Sequence, residues 1–215
     1  MSIYLSSAYL APVQYYTKFV TGEPIVIEQH DNYIKQTYRN RCTIVSSNGS
    51  ISLSIPVEHS TKQKTLMKDI RIAEHGNWQH MHWNAIVSAY NSTPFFEYYT
   101  DDFYPFYHKK YTYLLDFNEQ LRLLILNLLN IELPEISLST DFKTNFNSGE
   151  IDLRETIHPK KDWTIADRSF RSYPYYQVFC QKFGFIPNMS IIDLLFNMGN
   201  ESQIILTNSI VETSI

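Results

Sequence analysis

A basic and polar stretch, NYIKQTYRNR at residues 32–41, carries the side chains best suited to holding an anion. If Thr37 begins a strand, Arg39 and Arg41 lie on one face of it, because alternate strand residues point the same way. A guanidinium group offers paired N–H donors and lysine adds a point charge, so these arginines with Lys35 could bind a phosphate or carboxylate group. The alternative is a solvated strand face with ordinary surface ion pairs.

A second cluster, YLAPVQYYTK at residues 9–18, lies at the first predicted junction between a strand and a helix. In open α/β sheets, ligands bind at the carboxyl ends of strands, where helix N-termini offer free N–H groups. Gln14 and Lys18 are four residues apart, so a helix presents them on one face. Tyr15 and Tyr16 could stack on the ring of a ligand, or these tyrosines and Phe19 could be core packing.

Other chemistry rests on single residues. His82, next to Trp83, is a candidate general base or a hydrogen-bonded core residue. His80 and His82 are two apart on a predicted helix, so they point in different directions and cannot chelate a metal together. The chain has no zinc spacing, P-loop, G-x-G-x-x-G or G-x-S-x-G motif, and we expect no metal and no cofactor. We expect Cys42 and Cys180 to be unpaired thiols.

The elements that must position these groups begin with a β-α-β unit. Residues 3–10 predict a strand, 12–20 a helix that starts at a proline, and 24–28 a second strand, which favours parallel pairing. Alternating segments 37–46 and 50–57, joined at an Asn-Gly step, predict a β-hairpin. The remaining predicted elements are helices over 77–90, 116–130 and 190–198 and a strand over 136–139.

These elements predict an α/β fold: a mostly parallel sheet with an inserted β-hairpin and helices packed on the sheet. We expect one domain over residues 1–215, with a motif-bearing core over about 1–140 and a loop-rich C-terminal extension over about 141–215. Capping-box-like spacing starts the last helix at Ser190, and Gly199 ends it.

The composition narrows the function classes. With 44% hydrophobic residues and two cysteines in 215 residues, the chain is neither disordered nor a disulfide scaffold. A net charge of −4 disfavours nucleic-acid binding, including RNA binding through interleaved Tyr and Arg. The sequence shows neither a secretory signal nor a membrane span, so we expect a cytoplasmic protein.

Aromatic residues make up 15% of the chain and include 16 tyrosines. They are densest over residues 93–107. We interpret that run as a hydrophobic wedge packed between helices, with a partner surface as the alternative.

Five segments in register resemble the WbqC-like family, bacterial proteins associated with surface-polysaccharide (O-antigen) gene clusters. The resemblance covers about residues 3–130, and the tail over 173–199 is similar to Bacteroidetes-type members. Many members have a His-Gln-Pro element where this chain has Leu5-Ser6-Ser7-Ala8, so chemistry that relies on that histidine is absent here or moved to another group. The similar segments are Tyr9-Leu10 with Tyr15-Tyr16 and Lys18, QTYRNR at 36–41, Ser54-Ile55-Pro56-Val57, Trp78 with His82, and Tyr90 with Thr93-Pro94-Phe95-Phe96.

We expect an enzyme of surface-polysaccharide biosynthesis that modifies or transfers a group on a nucleotide-activated sugar, although the resemblance itself implies little about the reaction. In that interpretation Lys35, Arg39 and Arg41 neutralise the pyrophosphate. Gln14 and Asn40 bind sugar or base, Tyr9 and Tyr16 stack on the ring, and His82 transfers the proton. Lys18 is a further ligand-binding residue. The alternative is a non-catalytic binding or assembly protein of the same pathway. The expected partner is a small molecule, and homo-oligomerisation is left open.

Overall fold

The computed structural model describes residues 1–58, 64–132 and 134–211. Its strands are β1 (Ser2–Ser6), β2 (Ile25–Glu28), β3 (Arg41–Ser46), β4 (Gly49–Ser54), β5 (Ile136–Leu138) and β6 (Glu150–Asp152). Its helices are α1 (Val13–Tyr16), α2 (Trp78–Tyr90), α3 (Phe96–Phe103), α4 (Leu114–Leu128), α5 (Trp163–Ala166), α6 (Cys180–Phe183), α7 (Ile191–Met198) and α8 (Ser202–Asn208). Single 3₁₀ turns occupy Phe19–Thr21, Met67–Asp69, Tyr104–Tyr107 and Gly199–Glu201.

Four strands form a parallel sheet in the order β5-β2-β1-β6. The two central strands align Ile3 with Ile25 and Leu5 with Ile27, and all four side chains are buried. The predicted β-α-β unit and the α/β fold class are therefore confirmed. The first strand ends at residue 6 rather than 10, and the predicted helix over 12–20 is a short helix followed by a 3₁₀ turn.

Strands β3 and β4 form the predicted antiparallel hairpin, which is separate from the parallel sheet. Gly49 follows the turn with a φ of +101°, a conformation that disfavours a residue with a Cβ atom. The first hairpin strand begins at Arg41, whereas residues 37–40 lie in turns. The prediction that Arg39 and Arg41 share a strand face is therefore wrong.

Helices α2 and α7 pack beside the hairpin and close the core. Helix α2 begins one residue after its predicted start and ends as predicted; Asn77 forms no side-chain cap and Met81 is 63% exposed. Helix α7 is almost entirely buried, so this part of the C-terminal segment belongs to the core. Ser190 precedes α7 but donates its hydroxyl to the Leu10 carbonyl instead of capping the helix.

The aromatic run over 93–107 is largely a packed wedge. Phe96 and Phe103 both contact the ring of Phe196 edge-on, at centroid distances of 5.2 and 5.3 Å. Tyr98 and Tyr104 of the same run remain exposed. Gly199, which ends α7 as predicted, lies so close to the Phe95 ring that a Cβ atom there would be 2.6 Å from it.

Candidate functional site

An open cavity of about 540 Å³ lies between the loop after β2 and the end of the hairpin opposite its turn. Two backbone contacts join the loop to residues 65–66 on one side of the cavity: Tyr33 N–H donates to the Thr65 carbonyl at 2.9 Å, and Asn32 forms a β-bridge with Leu66. The lining residues come from three separate stretches of chain. They are Asn32, Tyr33, Lys35, Gln36, Asn40, Arg41, Ser54, Ile55, Pro56, Val57, Glu58, Lys64, Thr65 and Ile70.

The cavity wall is cationic. Lys35, Arg41 and Lys64 contribute three positive charges, and none of them pairs with a carboxylate within the described residues. The acidic residue of the wall, Glu58, lies 3.3 Å from Arg71. Uncompensated cations gathered in one cavity repel each other, and a bound anion would relieve that repulsion.

One hydrogen bond positions the Arg41 side chain and leaves its other N–H donors available. Its Nε donates to the Ser54 hydroxyl at 3.0 Å across the hairpin, while its two Nη groups have no partner among the described residues. A guanidinium group has five N–H donors. Arg41 can therefore be positioned by the hairpin and still bind an anion through both Nη groups.

Polar and aromatic groups complete the wall. Asn40 donates its side-chain N–H to the Ile55 carbonyl at 2.8 Å, and the Ile55 N–H donates back to the Asn40 carbonyl at 2.8 Å. The Asn40 Oδ1 atom is buried and has no partner within the described residues. Burial raises the pKa of Tyr33 to about 12, although the nearby Arg39 and Arg41 oppose the shift, so its hydroxyl stays protonated at neutral pH.

Arg39, predicted to act with Arg41, is instead a buried structural residue. Its side chain is 3% exposed and pairs with the buried Asp31 and, at 2.6 Å, with Glu155. Burial raises the pKa of Asp31, and the attraction of Arg39 does not cancel that effect. The side-chain amide of Asn118 donates to the Arg39 carbonyl at 2.8 Å. This arginine is neutralised by its own chain, so it supports the loop rather than lining the cavity.

His82 and Tyr9 lie in the core behind the hairpin. The Tyr9 hydroxyl is 2.9 Å from His82 Nδ1 and 3.0 Å from the Tyr107 hydroxyl. Burial lowers the pKa of His82 to about 4, although a hydrogen bond with the Ser54 backbone opposes the shift. His82 is 5% exposed and Tyr9 is fully buried. Neither side chain lines the cavity, so in this conformation His82 does not reach a ligand there to transfer a proton and Tyr9 does not stack on one.

The remaining predicted residues of the first cluster are also buried. Lys18 Nζ lies 2.7 Å from Asp167 and donates to the Ser169 hydroxyl at 2.8 Å. Gln14 donates to the same Asp167 carboxylate at 2.9 Å. Tyr16 is 1% exposed within the core. This network ties α1 to the C-terminal segment, and the ligand contacts predicted for these three residues are not available in this conformation.

The carboxyl edge of the parallel sheet, where α/β proteins commonly bind ligands, is occupied by the protein's own charges. Glu28 at the end of β2 is fully buried and pairs with Arg154 at 2.7 Å. The Ser139 hydroxyl donates to Glu28 at 2.6 Å. The cavity therefore lies between the loop and the hairpin rather than at the strand ends.

Sequence reasoning identified Lys35, Asn40 and Arg41 of this wall but missed Lys64. The NYIKQTYRNR stretch contains Tyr33, so its polar and basic composition was a usable signal. Lys64 had none, because it reaches the wall only through the pairing of residues 65–66 with the loop. In the described part of the chain, no group of three or more His, Cys, Asp or Glu side chains could hold a metal ion.

The sequence model of the WbqC-like protein family matches residues 7–165, more than half of the chain. The chain belongs to the WbqC-like protein family. The predicted family is thus confirmed, and the match includes every residue of the cavity wall. The tail over 173–199 lies beyond the matched range. No curated protein and no solved structure shows significant similarity to this WbqC-like chain. No helix among the described residues is long and apolar enough to cross a membrane.

Proposed function

We propose that this WbqC-like protein binds a nucleotide-activated sugar in the cationic cavity and modifies or transfers a group on it in surface-polysaccharide biosynthesis. The observation that carries the binding proposal is the gathering of Lys35, Arg41 and Lys64 around one cavity in a chain whose net charge is −4. A cationic cavity in a protein of negative net charge favours an anionic ligand, because the cations stabilise phosphate charge and the ligand relieves their repulsion.

The rest of the wall suits the uncharged parts of such a ligand. Pro56 and Val57 give half-buried apolar surface, and Tyr33 gives an aromatic ring with a protonated hydroxyl. A mixture of apolar surface with a few polar groups is typical of small-molecule sites. The volume of about 540 Å³ is in the range of such sites.

A non-catalytic binding protein of the same pathway is the second candidate. It is favoured by the position of His82, which is buried behind the hairpin with its pKa lowered to about 4 by burial. A histidine there is neutral at pH 7 and cannot reach a ligand in the cavity. The two candidates share the binding step and differ in whether the ligand is converted.

Isothermal titration calorimetry with a panel of nucleoside diphosphate sugars tests the binding step. We expect Arg41→Gln to weaken binding of the panel's best ligand by about tenfold or more, because charged hydrogen bonds contribute about 1.5–3 kcal/mol each. The matched control is Arg168→Gln, which removes the same charge from an exposed position outside the cavity. Equal affinity in wild type and Arg41→Gln, or equal losses in both variants, would refute binding in this cavity.

Incubation of the wild type with the bound ligand, followed by mass spectrometry of the small molecules, separates the two candidates. A product that requires the protein supports the enzyme. A ligand recovered unchanged, with and without candidate acceptors, supports the non-catalytic protein.

A further inference from the structure

A segment far along the chain, residues 155–161, lies against the rim of the cavity. Two contacts hold it there: Glu155 pairs with Arg39 at 2.6 Å, and Lys160 Nζ donates to the Gln36 side-chain carbonyl at 2.7 Å. Gln36 is itself a residue of the cavity wall. The Lys160 ammonium group is therefore within hydrogen-bond distance of a lining residue, although sequence reasoning assigned it no role.

The contact with Gln36 uses only part of what Lys160 offers. An ammonium group has three N–H donors, and one of them is engaged by Gln36. No carboxylate pairs with Lys160 within the described ranges. Lys160 is thus a cation that its own chain positions without neutralising.

The backbone conformation of Gln36 indicates that the surrounding structure holds this residue in place. Its φ of +61° lies in the left-handed region, which residues with a Cβ atom seldom adopt. Residues held in such conformations cluster at binding sites, because the surrounding structure compensates for their cost. Here the conformation belongs to the residue that joins the cavity wall to Lys160.

We propose that Lys160 is a phosphate-binding residue of this cavity and contacts the outer phosphate of a ligand that carries two. This proposal rests on the proposed function and extends it by assigning the two phosphates of the ligand to two separate cations. Arg41, on the hairpin, binds one phosphate group through its unpaired Nη donors. Lys160, at the rim, keeps its bond to Gln36 and donates its remaining N–H groups to the other phosphate.

The arrangement predicts discrimination by phosphate number. A monophosphate satisfies Arg41 and leaves Lys160 bonded to Gln36 alone, whereas a diphosphate engages both cations. Loss of Lys160 should therefore weaken diphosphate binding and leave monophosphate binding nearly unchanged.

Calorimetry with inorganic pyrophosphate and inorganic phosphate tests the proposal at fixed ionic strength, since both interactions depend on salt. We expect Lys160→Gln to weaken pyrophosphate binding by about tenfold, as the loss of one charged hydrogen bond predicts, and to change phosphate binding by less than about twofold. Lys161→Gln is the matched control, because it removes the same charge from the next residue, an exposed lysine outside the wall. Circular dichroism spectra check that each variant is folded.

The outcomes separate this proposal from the proposed function. If Arg41→Gln weakens both probes and Lys160→Gln weakens neither, the cavity binds anions but Lys160 has no part in it. Equal losses in Lys160→Gln and Lys161→Gln would show general electrostatic attraction and overturn the specific contact. If the wild type binds neither pyrophosphate nor a nucleoside diphosphate sugar, both proposals fail.

Discussion

Replacing Lys18 with methionine should destabilise this protein strongly and leave ligand binding intact. Lys18 and Asp167 form an ion pair whose side chains are 4% and 3% exposed. Methionine retains most of the aliphatic stem but removes the charge, so the Asp167 carboxylate stays buried without its cation. Removing one partner of a buried pair costs about 3–5 kcal/mol. Because a whole domain is stable by only about 5–15 kcal/mol, that loss would be plain in an unfolding curve.

The carboxylate also sets the pH dependence of this effect. Burial alone would raise the pKa of Asp167, but Lys18 and the hydrogen bonds from Lys18, Gln14 and Ser169 lower it below its usual value. A lowered pKa in the folded state stabilises the protein above the unfolded pKa of about 3.9, and the contribution is lost as pH falls through the folded value. The wild type and Lys18→Met should therefore differ most at neutral pH and converge in acid.

Urea unfolding followed by tryptophan fluorescence at pH 7 measures the difference. Lys109→Met is the control, since Lys109 is exposed and has no ion pair among the described residues, and we expect it to change stability by less than about 0.5 kcal/mol. The double variant Lys18→Met with Asp167→Asn should lose less than the sum of the single variants, because removing both charges leaves no buried ion. A loss below about 1 kcal/mol in Lys18→Met, together with loss of nucleotide-sugar binding, would refute the structural role and restore Lys18 to ligand binding.

The remaining predictions also concern stability, measured by the same unfolding assay. Gly199→Ala should cost more than Gly22→Ala, because both glycines have positive φ but only Gly199 faces an aromatic ring; equal costs would contradict the steric argument. Arg39→Met should cost about 3–5 kcal/mol by leaving Asp31 buried and unpaired, and a cost within about 0.5 kcal/mol would contradict that pairing. The lowered pKa of His82 means that the unfolded state binds more protons than the folded state between about pH 6.5 and 4. The free energy of unfolding should therefore fall by up to about 3 kcal/mol as the pH is lowered through that window. His82→Gln should flatten this part of the profile, and an unchanged slope would show that another group titrates there.

The short-range patterns of the sequence predicted much of the fold. The β-α-β order, the Asn-Gly hairpin and the bounds of α2 and α7 follow from periodicity and turn residues, which act over a few positions of the chain. The same reasoning placed the first hairpin strand four residues too early. Local hydrogen bonds that favour a turn compete with strand formation at residues 37–40. One of them is the bond that the Thr37 hydroxyl donates to the Ile34 carbonyl at 2.9 Å.

The sequence by itself determined the family, the α/β fold class and three residues of the candidate site, namely Lys35, Asn40 and Arg41. Residue type and local spacing carry that information. Only the tertiary structure decided which charged side chains are free, because a charge is neutralised by whatever the fold brings next to it. Asp167 lies 149 positions after Lys18 and yet neutralises it, whereas Lys160 reaches Gln36 from 124 positions away and keeps its charge unpaired within the described residues.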